Sequence, residues 1–302
     1  MKNKDFSVVI PIYNEEKNLE SFLKKLLNTL ENSENINYEI ICVNDGSTDN
    51  TNEILKEFQD KIKIVNLTIN RGYGNAIKTG VENSKYDIIV TIDADGQHNP
   101  EDIFKLLNNY EHEYDLVIGA RKLTDSYKKR IIGKFLIKKI TNFIFENDIK
   151  DVNSGFRVFN KNTAKKLFFL CSDRFSFSTS LTLSYYAFSY NVKFVPISVE
   201  IRKEGKSYVN YISGLKTILK IFQIAMIFKP LRVIMPFLLF FSSLTIISLS
   251  IDLVKTNLSD STVLLFSISV LIFIFGLLSE QIKNLRFEIL ELLTQEKKNE
   301  KI

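Results

Sequence analysis

The sequence predicts an α/β fold, a mainly parallel sheet with helices on both faces, followed by two helices of membrane-spanning length. Over the first 120 residues, strand-like and helix-like segments alternate. That rhythm belongs to parallel strands joined by crossover helices. Near the other end, Val233 to Ile251 and Ser261 to Ser279 each run 19 residues without a charge, and a helix needs roughly 20 mostly apolar residues to cross a bilayer core. Two buried helices of a soluble core are the alternative, and two such runs side by side weigh against it.

The elements follow in order. FSVVIPI at residues 6–12 reads as a strand, and Leu19, Phe22, Leu23, Leu26, Leu27 and Leu30 then fall at helical spacing, the spacing of one buried helix face. YEIICV is the second strand, followed by a helix opened by Asp49 and Asn50 with Glu53 three residues on, a capping-box arrangement. KIVNL, a helix from about Tyr73 to Asn83, and the strand DIIVTI come next. Asn99 as cap with Pro100 behind it starts a further helix, and YDLVIG closes the series. Pro236 falls in the first turns of the first apolar run, where a missing amide hydrogen costs little.

Open parallel sheets bind ligands beyond the carboxyl ends of their strands. The polar residues at those ends are Tyr13-Asn14-Glu15, Asn44-Asp45-Gly46, Asn70-Arg71-Gly72 and Asp93 with Asp95. Turn chemistry alone places Asn, Asp and Gly at such positions, so the weight rests on the fourth cluster, TIDADGQHNPED. Asp93 and Asp95 point the same way along an extended chain, and like charges that close need a positive partner. An acid/base dyad calls for an apolar setting, whereas Gly96, Gln97, His98 and Asn99 follow here. Hard oxygen ligands at a strand end suit Mg2+ or Mn2+ gripping a phosphate. Gln97 is the better third ligand, and His98 reads as a surface residue beside a helix cap.

Composition bounds the rest. The 302 residues carry a formal net charge of +5 and two cysteines without paired spacing, which fits a reducing compartment and argues against a disulfide or zinc site. The opening MKNKDFSVVIPIYNEE has too short an apolar stretch for a signal peptide, so the large N-terminal part is expected on the cytoplasmic face of an integral membrane protein. Two spans return the tail to that side, and lysines flank both outer ends. Residues 121–140 hold eight basic residues against one acidic, with apolar residues at helical spacing. A second such segment spans 214–229. Both read as helices lying on an anionic bilayer surface, ahead of a nucleic-acid partner.

SVVIPIYNEEKNL, VNDGSTDNT, NRGYGNAIKTG, DADGQHNPEDI and NSGFRVF, taken together and in order, resemble family 2 glycosyltransferases of the A-type (GT-A) fold, and within them the polyprenyl-phosphate sugar transferases such as dolichyl-phosphate mannose or glucose synthases. The likeness covers residues 5 to 210, and the two spans fit it. A dinucleotide-binding reading of RGYGNA fails, because Ile77 stands where the third glycine belongs and the motif follows the third strand. The resemblance implies a GT-A domain over 1–210, a juxtamembrane amphipathic helix over 211–230, a two-helix membrane domain over 231–282 and a cytoplasmic tail over 283–302. It implies that Pro11, Tyr13, Glu15 and Asp45 hold the base and ribose of a nucleotide-sugar, and that Asp93 faces the donor. Asn70 and Gly72 complete the donor set at the same rim. Asp95 and Gln97, with Asp93, are the expected ligands of a divalent metal, Mg2+ or Mn2+, on the diphosphate.

The acceptor side has its own logic. A hydroxyl acceptor needs a positioned base. Related enzymes often carry an acidic residue at the place occupied by Ser180, and between Asn160 and Lys193 the one carboxylate is Asp173. A phosphate monoester is already anionic and needs only cationic positioning. Arg121, Arg130, Arg157 and Arg202 are candidates, with Ser154 and Lys206 beside them; Arg121 and Arg202 lead and, with Asp95, form the expected catalytic set. The function expected is inverting transfer of a hexose from a UDP- or GDP-sugar to polyprenyl phosphate. A processive polysaccharide synthase is disfavoured because the chain has no tryptophan for that family's chain-holding motif. Transfer to a glycan or protein hydroxyl lacks a base, and a silent nucleotide-sugar-binding partner has no use for a costly carboxylate pair.

Overall fold

The computed structural model describes residues 5–32, 36–110, 113–121, 139, 142–143, 149–174, 176–199, 219 and 222–299. The chain forms two compact units, residues 1–142 with 147–220, and residues 143–146 with 221–302.

In the first unit, β1 (Phe6–Ile12), α1 (Leu19–Glu31), β2 (Tyr38–Asn44), α2 (Thr51–Glu57), β3 (Lys63–Asn66), α3 (Tyr73–Glu82), β4 (Ile88–Thr91), α4 (Asp102–Asn109) and β5 (Leu116–Arg121) alternate as expected. β6 (Arg157–Asn160), α5 (Lys161–Leu167), a short 3-10 turn (Phe168–Leu170), α6 (Phe177–Ala187) and β7 (Val192–Ile197) follow. The seven strands lie in the order β3-β2-β1-β4-β6-β5-β7. All pairings are parallel except those of β6, which is antiparallel to β4 and β5. The sheet is therefore mixed, mostly parallel. β5 does not extend the series beside β4; a returning strand is inserted between them.

Strand alternation builds the two layers. Val8, Ile10, Ile12, Ile40 and Cys42 face one core with the apolar stripe of α1, whereas Val9, Ile41, Val43 and Ile89 face the other with Ala76, Ile77 and Val81 of α3. Leu19, Phe22, Leu23, Leu26, Leu27 and Leu30 are all buried, each worth about 1.5–3 kcal/mol of apolar burial. Two expected caps are made differently. Asn50 makes no side-chain cap on α2; instead Asp49 accepts from the amides of Glu16 and Thr51, and Glu16 accepts from Asn50 N–H. α4 begins two residues after Pro100, and Asn99 forms the preceding turn, its carbonyl accepting from Asp102 N–H.

The second unit contains α7 (Pro230–Lys255) and α8 (Asp260–Asn299), of 26 and 40 residues. Both are long and apolar enough to cross a membrane. Phe237, Leu239, Ile246, Phe266 and Phe275 are exposed, a wide apolar surface of the kind lipid covers. Pro230 opens α7, so Pro236 lies inside the helix and not in its first turn. The helices meet closely where Gly276 faces Ile234; an added Cβ would come 3.3 Å from that side chain. Thr256 in left-handed conformation (φ 50°) ends α7, and the Asp252 carboxylate closes the turn by accepting from Ser259 N–H, Ser259 Oγ and Thr262 Oγ1.

Candidate active site

The parallel strands end at one rim, and the antiparallel β6 begins there, since Arg157 pairs with Thr91 at the end of β4. The rim thus gathers residues 13–16, 44–51, 69–73, 93–98, 121 and 151–156.

The first two strand ends are stitched together. Asn14, held at φ 53°, takes Ser47 Oγ on its amide and receives Thr48 N–H on its side-chain oxygen. Glu15 N–H donates to Thr51 Oγ1, and the Glu15 carboxylate accepts from Asn18. Tyr13 is 44% exposed, open at the rim beside half-buried Pro11. Asp45, expected on the nucleoside side, follows the last residue of β2 at the rim. Its buried carboxylate accepts Arg71 N–H and Gly72 N–H, each at 2.8 Å. It clips the 69–72 loop to β2. At Gly72 (φ 102°) the chain enters α3, whose Asn75 N–H donates to Asp173 O and Ala76 N–H to Gly72 O.

The carboxylate pair sits at the centre. Asp93 Oδ1 accepts from Tyr73 Oη at 2.8 Å. A Cβ at position 155 would lie 2.6 Å from both Asp93 oxygens and overlap Tyr73 Oη; only glycine leaves that contact room. Burial raises the Asp93 pKa, opposed by the Tyr73 hydrogen bond and the Arg121 and Arg157 charges. Tyr73 itself is pushed well above its usual range, by burial first and then by Asp93, so it remains a donor. Asp95 Oδ1 accepts from Gln97 N–H at 3.1 Å, a local turn that ties the two together.

His98 is not at the surface. It is buried, 5.2 Å centroid to centroid from Phe156, with Nε2 3.8 Å from Asp93 Oδ2 and Nδ1 without a hydrogen-bond partner among the described residues. Burial, then the Arg121 charge, pushes its pKa down to about 4; the ring is neutral.

Arg121 supplies counter-charge from the protein itself. Its Nε and Nη2 reach Asp151 Oδ2 and Oδ1 at 2.7 and 3.0 Å, a bidentate fork. Burial works to lower its pKa, but Asp151, Asp93 and Asp95 outweigh this and raise it. Part of the positive partner demanded by the aspartates is thus a guanidinium. Arg157, expected at the acceptor phosphate, is instead 1% exposed. It donates to the Ser154 and Val152 carbonyls at 2.6 and 2.9 Å, holding the turn that presents Gly155. Ser154, from the same expected set, is fully buried, its hydroxyl accepting from Phe156 N–H. Arg130, Arg202 and Lys206 lie outside the described residues, as do most of the two basic segments. Ser180 is buried and bonds Ser176 O, and Asp173 pairs with Lys78 at 2.7 Å. Tyr73, Gly155 and Asp151 escaped the sequence reading, although all three lie inside or beside its motifs.

A glycosyl transferase family 2 model matches residues 7–168. The chain belongs to glycosyl transferase family 2. A second model, the GtrB C-terminal hairpin, matches residues 229–285 of this glycosyltransferase. It is 35% identical over 231 residues to an uncharacterized protein of Methanocaldococcus jannaschii, covering 72% of this chain and 92% of that one. It is 31% identical to the undecaprenyl-phosphate 4-deoxy-4-formamido-L-arabinose transferase of Shewanella sediminis, over 70% of this chain and 64% of that one. Identity to the human dolichyl-phosphate beta-glucosyltransferase is 29%, over 70% and 72%. Glucosyl-3-phosphoglycerate synthase of Mycobacterium tuberculosis, crystallised with Mn2+ and UDP, shares the fold at a TM-score of 0.60, 16% identity, 74% of this chain and 80% of that one.

Among the described residues no group of three His, Cys, Asp or Glu forms a metal cage by itself. The set at the rim is two carboxylates and the Gln97 amide, all hard oxygen donors. That set fits Mg2+ or Mn2+, ions that keep phosphate and water among their ligands.

Proposed function

We propose that this family 2 glycosyltransferase moves a hexose from a UDP- or GDP-sugar to a polyprenyl phosphate, with inversion, at the cytoplasmic face of a membrane. The observation that carries the reading is the acceptor side: the Arg121 guanidinium, held by Asp151 and interacting through its charge with Asp93 and Asp95, and the buried Ser180 where related enzymes often carry a carboxylate. The relatives named for dolichyl and undecaprenyl phosphate support the lipid. A phosphate oxygen is a competent nucleophile at neutral pH, so positioning is what the protein must provide.

In this mechanism Tyr13, Pro11, Glu15 and Asn70 line the nucleoside side of the rim, with Asp45 and Gly72 fixing the loop that carries Asn70. Asp93, Asp95 and Gln97 hold the divalent metal, which when bound neutralises charge on the departing nucleoside diphosphate. Arg121 orients the acceptor phosphate for attack on the anomeric carbon from the face opposite the leaving group, and Arg202, with Arg130 and Lys206, joins it. No covalent enzyme intermediate is needed.

The test is incubation of membranes containing the protein with labelled UDP- and GDP-sugars and polyprenyl phosphate, followed by organic extraction. One sugar label should become lipid-soluble, and exhaustive EDTA treatment should abolish that transfer. Label in a water-soluble glycan only, or full turnover after chelation, would reject the acceptor or the metal respectively.

A further inference from the structure

Resting on that reading of the donor site, we propose that Tyr73 is a positioning residue that fixes the Asp93 carboxylate for donor binding, and that Gly155 provides the space for it. The two aspartates are held by separate devices. Asp95 is tied within its own turn to Gln97 N–H. Asp93 is tied across the fold, to a phenol twenty residues earlier at the first position of α3.

The contact is directional. Tyr73 Oη donates to Asp93 Oδ1, whereas the neutral His98 ring brings Nε2 only to 3.8 Å from Oδ2, too far for a hydrogen bond. A carboxylate with one oxygen tethered cannot rotate freely, so its other oxygen keeps one bearing. The tyrosine ring is anchored in turn, half-buried against the core layer that holds Ala76, Ile77 and Phe177. On the opposite side, Gly155 comes so near that any side chain there would part the pair. Gly155 O accepts from Thr91 Oγ1 at 2.6 Å, and the Arg157 guanidinium holds the preceding carbonyl, Ser154 O. Two segments distant in sequence from Asp93 thus converge on its carboxylate.

Tyr73→Phe removes the hydroxyl and keeps the ring. In the full-length protein in detergent, Mn2+ binding in the presence of UDP or GDP, read from the free-ion EPR signal, should weaken by about tenfold, the size of one hydrogen bond to a charged group. The KM for nucleotide-sugar should rise while the KM for polyprenyl phosphate stays unchanged. Wild-type Mn2+ binding and donor KM in a folded Tyr73→Phe protein would overturn the proposal. So would parallel losses for both substrates together with lowered thermal stability, the mark of a merely structural residue. If Tyr73→Phe does not fold, Gly155→Ala reads the same contact by crowding it, with the same split expected. A wild-type protein that binds no Mn2+ with either nucleotide would overturn the metal-donor reading itself, and this inference with it.

Discussion

Arg121 keeps its charge in a setting where burial alone would discourage it, because Asp151 meets its planar fork with two oxygens. Lysine carries the same charge but cannot match that geometry. Arg121→Lys should therefore slow lipid-phosphate glycosylation by about ten- to a hundredfold, the worth of hydrogen bonds to a charged group, in a protein that still folds; steady-state rates with each substrate varied would check it. The cysteines supply a second residue-scale expectation. Burial pushes the Cys171 thiol up to about 12 from 9 and raises Cys42 further. The protonated thiols therefore stabilise the fold fully below pH 9, and that contribution is lost as pH rises through about 12. Neither thiol should react with a disulfide reagent at pH 8 until the protein is unfolded, and midpoints in denaturant should fall between pH 9 and 12. Residue types at the rim were legible from the sequence, but their partners were not. Asp45 stands at the expected rim, but the amides its carboxylate accepts from lie 26 and 27 residues on, beyond any local pattern. His98 read as exposed because its polar neighbours hide that Phe156 and the Val199 bridge cover it.

At the scale of elements, the alternation through β5 was readable because each strand is an apolar run and each helix a striped one. β6 was not. It is four residues long and opens with an arginine buried by a turn it holds itself, so no hydrophobic pattern announces it. β7 carries Pro196, which reads as a breaker and is tolerated because the strand lies at the sheet edge. A helix that packs unusually close can be tested directly. Gly80 of α3 lies against β1 and β2, where an added Cβ would overlap Val9 and come within 3.1 Å of Val43 Cγ2. Gly80→Val should destabilise the first unit by about 1–3 kcal/mol or more, as overpacking does, and denaturant unfolding would measure it. Donor KM at low temperature should change little, because the rim clips lie at the other end of the sheet-facing helix.

For the molecule as a whole, the proposed chemistry demands that the donor rim face the compartment that supplies nucleotide-sugars, and the charge pattern says how the hairpin achieves it. Lys216, Lys220 and Lys229 precede α7 and Arg232 lies in its first turn, and Lys283 and Arg286 follow the second apolar run, whereas Asp252 and Lys255 end α7 and Asp260 opens α8 on either side of the turn. Lysine and arginine are retained on the cytoplasmic side, so the proposed orientation has two crossings return the chain to where it started, with the turn outside. α8, about 60 Å long at 1.5 Å per residue, exceeds a hydrocarbon core of about 30 Å, and in the proposed orientation its C-terminal part would continue past the bilayer on that same side. Exposed Asn257 in the turn, changed to cysteine, should accept a membrane-impermeant maleimide on intact cells. A cysteine replacing exposed Lys56 on α2 should label only after permeabilisation. The native thiols are buried and leave the background silent. The opposite labelling pattern would put Asp93 and Asp95 on the far side of the membrane from cytoplasmic nucleotide-sugars, and the proposed donor would have to be abandoned along with the orientation.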